Sequence, residues 1–189
     1  TAALPFHIRR AHAFRTDKLT LSPSFLQNKA LEFEQHDRRL AGKSPSEVFT
    51  LVNSQLRHEN NQAIQKYCAR SRASQLWEGT FLRMQNSAPM ARFGDQRTYS
   101  FDGQPLGESV HLGIDLASTA HATVQAANHG VVVFADYLGI YGNMVILDHG
   151  LGITSLYSHL NDIAVKAGQQ VSKGDARGTT GTTGLAGGD

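Results

Sequence analysis

The sequence predicts an α+β fold that is mostly β: a C-terminal antiparallel β-sheet domain preceded by an N-terminal helical segment. Two textures point to it. Between residues 44 and 72 apolar residues recur at three-to-four spacing, the period of a helix with one buried face. After about Phe81 the apolar residues come in short runs divided by glycine, the pattern of strands and turns. A length of 189 residues allows one good domain and part of another.

Residues 1–43 read as an arm or the tail of a preceding domain. A strand is expected from Thr16 to Ser22 and a loose, highly charged helix from Ser24 to Leu40, with too few large apolar residues for a separate core. Residues 44–80 read as a helical connector. Ser44-Pro45-Ser46-Glu47 supplies an N-cap serine, a proline at the first helical position and a glutamate at the third, which is a strong helix start. Val48, Leu51, Val52, Leu56, Ile64 and Tyr67 continue the stripe. The helix should run over about 45–72, with any break in the polar gap Arg57–Gln62. Residues 81–189 form the expected β domain. Its strands are read over Val131–Ala135, Met144–Leu147 and Ile153–Tyr157, and Val165–Val171 reads as a hairpin turn with valines at both ends.

Composition removes several functions. Eighteen basic residues face sixteen acidic ones, too weak an excess for a nucleic-acid partner. No apolar run reaches the roughly 20 residues that span a bilayer. The start, Thr1-Ala2-Ala3-Leu4-Pro5, is not a signal peptide, and a chain beginning with threonine is expected to be a processed or excised piece. The single cysteine, Cys68, excludes an internal disulfide and a cysteine zinc site, and is expected to be a buried structural thiol.

Chemistry concentrates at two places. In Val110-His111-Leu112-Gly113-Ile114-Asp115-Leu116, strand alternation would put His111, Gly113 and Asp115 on one face. Imidazole and carboxylate are ordinary zinc ligands. Four residues of straight strand span about 13 Å, too far for one ion, so the segment must bend, and Gly113 permits it. In Leu156-Tyr157-Ser158-His159-Leu160, His159 interrupts an apolar strand end. The other histidines have bland readings: His121 and His129 on the surface, His149 at a tight turn, and His7, His12, His36 and His58 without a ligand-type partner at useful spacing.

Taken together, these pieces resemble a known family. Phe93-Gly94, His111-Leu-Gly-Ile-Asp115, Tyr141-Gly142-Asn143-Met-Val-Ile-Leu-Asp148-His149-Gly150, Tyr157-Ser-His159-Leu160, Val165-Lys-Ala-Gly-Gln-Gln-Val171 and Gly178-Thr-Thr-Gly181-Thr-Thr-Gly184 resemble, in order and spacing, the lysostaphin-type zinc metallopeptidases, peptidoglycan endopeptidases of the bacterial cell envelope. The resemblance covers about half the chain. It implies His111 and Asp115 as zinc ligands, His159 as a catalytic histidine beside the metal, and Zn2+ as cofactor. It implies a peptidoglycan peptide as substrate and a periplasmic or membrane-anchored parent protein. Tyr141 and Asn143 are expected either to line the substrate groove or to be plain turn residues.

The family's third ligand comes from a His-x-His motif after a Thr-Gly-rich run. Here Gly181-Thr-Thr-Gly184-Leu-Ala-Gly-Gly-Asp189 is the lead-in, so the motif is expected immediately after Asp189 and the chain by itself should be inactive or nearly so. Ala176-Arg177 also departs from the family, which places a large apolar residue before Gly178, and could disturb a strand there. The alternative within the family is a non-catalytic member that regulates another cell-wall hydrolase. A regulatory protein partner would be of unknown identity.

Overall fold

The computed structural model describes residues 14–187. In chain order it contains β1 (Thr16–Thr20), α1 (Pro23–His36), α2 (Pro45–Leu51), α3 (Arg57–Cys68), β2 (Ala88–Ala91), β3 (Gln96–Phe101), β4 (Gln104–Val110), β5 (Asp115–Ala117), β6 (Thr123–Gln125), β7 (Gly130–Tyr137), β8 (Asn143–Gly150), β9 (Ile153–Ile163), β10 (Gln170–Val171) and β11 (Ala176–Thr180). The mostly β architecture with a leading helical segment is the one expected. His7 and His12 lie outside the described residues.

The main sheet has six strands in the order β10-β7-β8-β9-β11-β6, all neighbours antiparallel. Val132, Val145, Leu147, Leu160 and Val124 pack on one another as its core. A second sheet, β1-β3-β4, pairs β1 with β3 in parallel, Thr16 opposite Gln96. It therefore joins the N-terminal strand to residues beyond 81. The short pair β2-β5 carries Asp115 at its start.

The helices pack between these sheets. Ser44 and Glu47 form the full capping box expected of them. The break in the helix comes earlier than the polar gap suggested: residues Val52–Leu56 make a π-turn, and α3 then runs unbroken through Arg57–Gln62 to Cys68. The wider turn accommodates Asn53, which is buried and donates to the Glu108 carbonyl in β4. Residues 14–43 also contribute to the core. Leu26, Ala30 and Phe33, on one face of α1, are buried against Phe49, Val52, Tyr99 and Ile140.

Three other readings are corrected. Cys68 is only half-buried, with its sulfur 3.5 Å from the Thr154 hydroxyl. His149 is fully buried in β8, its Nδ1 donating to the His129 carbonyl. Residues 166–169 do make a turn, but its flanks separate: β9 pairs with β8 and β11, while β10 pairs with β7.

Arg177 lies in β11 where register slips between Ala176 and Gly178. Its side chain is 1% exposed and its Nη1 has no hydrogen-bond partner. Nε donates to the Asp175 carbonyl, and the Asp175 carboxylate is 3.5 Å from Nη2. A buried cation so thinly satisfied costs more than a packed apolar chain. The Asp175 carbonyl keeps Ala126 N–H as a donor, and its carboxylate keeps Ser172 N–H. Arg177→Leu should therefore stabilise the domain by about 1–2 kcal/mol, raising the calorimetric melting temperature by roughly 2–8 °C.

Candidate metal and acid–base site

His111 follows β4 and Asp115 opens β5; the residues between them are not strand. The expected alternation fails there for a geometric reason. Bringing both ligand types to one point bends the segment, and a bent segment has no buried opposite face. Leu112 and Ile114 are accordingly 56% and 65% exposed. The bend is held by the turn before β3. Asp95, buried, accepts from the backbone N–H of Arg15 and Arg92, and its carbonyl accepts from His111 N–H. Gly94 N–H in turn donates to the His111 carbonyl.

The result is a close pair. His111 Nε2 lies 3.2 Å from Asp115 Oδ1. Nε2 is buried, yet it makes no aligned hydrogen bond. Two donors on one tetrahedral zinc, each about 2.1 Å from the ion, stand about 3.4 Å apart. The separation and the unsatisfied nitrogen both fit a metal between them. Among the described residues no third histidine, cysteine or carboxylate joins them.

Asp115 is divided between two neighbours. Oδ1 faces His111, while Oδ2 accepts from Arg97 Nη2 at 2.8 Å. Burial pushes this carboxyl up, but His111 and Arg97 outweigh it and hold the group at about 2. It is thus a carboxylate at any physiological pH. Arg97, in β3, gave no signal in the sequence, because nothing local links it to a residue eighteen positions on.

His159 sits in a bulge. Between Val145↔Tyr157 and Asn143↔Leu160 the β8–β9 register slips, and His159 takes φ +62°. Left-handed backbone in a non-glycine residue costs energy and marks places where a side chain is re-aimed. Nδ1 lies 2.8 Å from the Thr183 carbonyl. A carbonyl only accepts, so Nδ1 carries the proton and Nε2 of the neutral ring is a free lone pair. Burial holds this imidazole below the usual histidine range, against upward pulls from the Thr183 bond and the Asp115 charge. It is therefore neutral near pH 7, and Asp115 lies within its electrostatic reach.

Thr183 is central here. Its hydroxyl donates to the Leu160 carbonyl and accepts from Asn143 N–H. The Asn143 amide nitrogen donates to the Asn161 carbonyl, and the Tyr141 hydroxyl donates to Asn61 Oδ1. Both side chains are thus engaged by this chain's own groups. Only the Gly/Thr-rich composition of 178–184 hinted at Thr183.

Residues 109–189 match the model of peptidase family M23. This chain carries a peptidase family M23 domain. Over 69% of its length it superposes on a crystal structure of a Pseudomonas aeruginosa protein classed with peptidase M23, with a TM-score of 0.55 and 30% identity, covering 51% of that chain. It is 39% identical over 74 residues to the peptidoglycan DD-endopeptidase ShyA of Vibrio cholerae, 39% of this chain and 17% of that one. It is 37% identical over 75 residues to the DD-carboxypeptidase/endopeptidase Mpg of Neisseria meningitidis, 40% of this chain and 17% of that one. This chain spans 16% to 21% of the length of the first curated relatives it matches. The matched region takes in the last two residues of β4 and all of β5 through β11, and so His111, Asp115 and His159.

Proposed function

We propose that this M23 domain belongs to a zinc-dependent endopeptidase that hydrolyses peptide cross-links of peptidoglycan in the bacterial cell envelope. The observation that carries the reading is the His111–Asp115 pair, 3.2 Å apart with Nε2 unsatisfied. The endopeptidase activities for which ShyA and Mpg are named support the choice of substrate.

His111 Nε2 and Asp115 Oδ1 would hold the zinc. A catalytic shell needs a third protein ligand, which the described residues do not bring to this pair. A bound zinc would lower the pKa of water from 15.7 towards 7 and polarise the scissile carbonyl. His159 supplies the proton relay. Its Nδ1–H is fixed on Thr183, so Nε2 faces the reaction as a base. It takes the proton of the attacking water and returns it to the leaving amine. Arg97 holds the outer oxygen of Asp115, leaving the other oxygen for the ion. Tyr141 and Asn143, beside the 181–184 loop, are assigned to the wall of the substrate groove.

Arg97→Met should weaken zinc binding by about 10- to 100-fold, the usual effect of losing a residue that orients a ligand, with little change in melting temperature. Titration of zinc into the apo protein checks it. The activity itself is tested by digesting cross-linked muropeptides with a polypeptide that runs through the His-x-His motif. Cleavage abolished by chelation and restored by zinc supports the enzyme. Neither zinc nor cleavage from that polypeptide would sink it and favour a regulatory family member.

A further inference from the structure

We propose that helix α1 is a positioning element of the site: Lys29 and Glu32 clamp the 181–184 loop so that the Thr183 carbonyl keeps His159 in its Nδ1–H form. The inference rests on the reading of His159 as the acid–base group.

The contacts fall on successive residues of one loop. Lys29 Nζ donates to the Thr182 carbonyl at 2.6 Å. Thr183 receives His159 through its own carbonyl. Gly184 N–H donates to Glu32 Oε1, which also accepts from the Tyr137 hydroxyl at 3.1 Å. Lys29 and Glu32 pair with each other at 3.0 Å, with side chains only 12% and 23% exposed. A charged pair so shielded, with each member also bonded to backbone, holds geometry better than a surface salt bridge.

The loop is gripped from the other side by the peptidase sheet. The Thr183 hydroxyl bridges Leu160 and Asn143, and Leu185 N–H donates to the Ile140 carbonyl. The Thr183 carbonyl is thus set between two rigid supports, and one of them is a helix outside the matched M23 region. Lys29 and Glu32 carry opposite charges, and their pulls on His159 oppose each other. Their contribution to the histidine is therefore geometric. Without the Thr183 acceptor the ring is free to protonate at Nε2, which would turn the base into a donor.

The test uses nitrogen-resolved NMR of the His159 ring at neutral pH in the native chain and in Glu32→Ala, Lys29→Met, Glu32→Gln and Leu31→Gly. Leu31 is exposed on the same helix, and its glycine variant weakens α1 without touching the loop. The native ring should show protonated Nδ1. Glu32→Ala and Lys29→Met should lose that signal to a mixture of tautomers, while Glu32→Gln, which keeps an acceptor for Gly184, and Leu31→Gly retain it. Retention of the Nδ1–H form in both Glu32→Ala and Lys29→Met overturns the proposal. So does its loss in Leu31→Gly, which would make the effect one of general loosening. If Glu32→Ala does not fold, Lys29→Met against Leu31→Gly decides by the same criteria. In the longer polypeptide the two clamp variants should lower kcat by about 100-fold with KM near native. The NMR result stands whether or not hydrolysis is found, so failure of the clamp and failure of the endopeptidase reading are separable.

Discussion

His111→Ala should abolish zinc retention and hydrolysis while leaving the fold almost untouched. The backbone of His111 is fixed by Asp95 and Gly94, and alanine keeps both bonds. The side chain's polar neighbour is Asp115, 3.2 Å from Nε2 without an aligned hydrogen bond, and Arg97 still pairs that carboxylate once the imidazole is gone. Removing it takes away an unsatisfied polar atom, so stability should change by less than about 1 kcal/mol. The chemistry has no such tolerance. One of the ligands proposed for the zinc would be lost, and with it the water activation that zinc would supply, so kcat/KM in the full-length protein should fall at least about 10³-fold. Zinc analysis and muropeptide digestion, read beside a melting curve, check the three parts separately. A large loss of stability with activity retained would mean that His111 is a structural residue.

Gly184→Ala should do the reverse and damage the fold first. Gly184 has φ +68°, and a Cβ there would stand 2.3 Å from Gly142 N and 2.6 Å from the Ile140 carbonyl. Both obstacles are backbone, so nothing can rotate away. Gly142 is itself at φ +61° against Thr183, which leaves the two turns pressed together. The substitution must push the 181–185 loop off the Ile140 turn, breaking the Leu185–Ile140 bond and the Glu32–Gly184 bond. Backbone strain and lost packing together should cost about 3 kcal/mol or more. Denaturant unfolding measures this directly. His159 should lose its Thr183 partner in the same variant.

The difference between these two glycine-flanked regions explains what could be read in the sequence. The strands of the main sheet were legible because short apolar runs are separated by glycines, a local pattern. The helix start at Ser44 was legible because capping is written in four consecutive residues. The parallel pairing of β1 with β3 was not, because its partners are eighty residues apart and no local feature announces it. The π-turn at Val52–Leu56 was hidden as well, since the apolar stripe runs straight through it. In α1, Leu26, Ala30 and Phe33 do follow helical spacing, but the charged residues around them masked a core face.

At the site, the pair His111 and Asp115 was readable as ligand types, and the need for a bend followed from strand dimensions. That the bend would expose Leu112 and Ile114 did not follow, because the alternation argument assumes a straight strand. His159 stood out only through the family resemblance, since taken alone it reads as a histidine at an apolar strand end. Its bulge and left-handed backbone come from register between β8 and β9, which exists only once the sheet is formed. Arg97, Lys29 and Glu32 reach the site from outside the matched region by tertiary packing alone. The local motif therefore marked the residues proposed to react, and the fold supplied the groups that pack against them.

Calorimetric titration of zinc into the metal-free full-length protein, native and Asp115→Ala side by side, tests the His111–Asp115 metal site most directly. One zinc per native chain is expected and none on the Asp115→Ala chain, with both equally folded. One zinc retained in the folded Asp115→Ala chain, at native affinity, would contradict it.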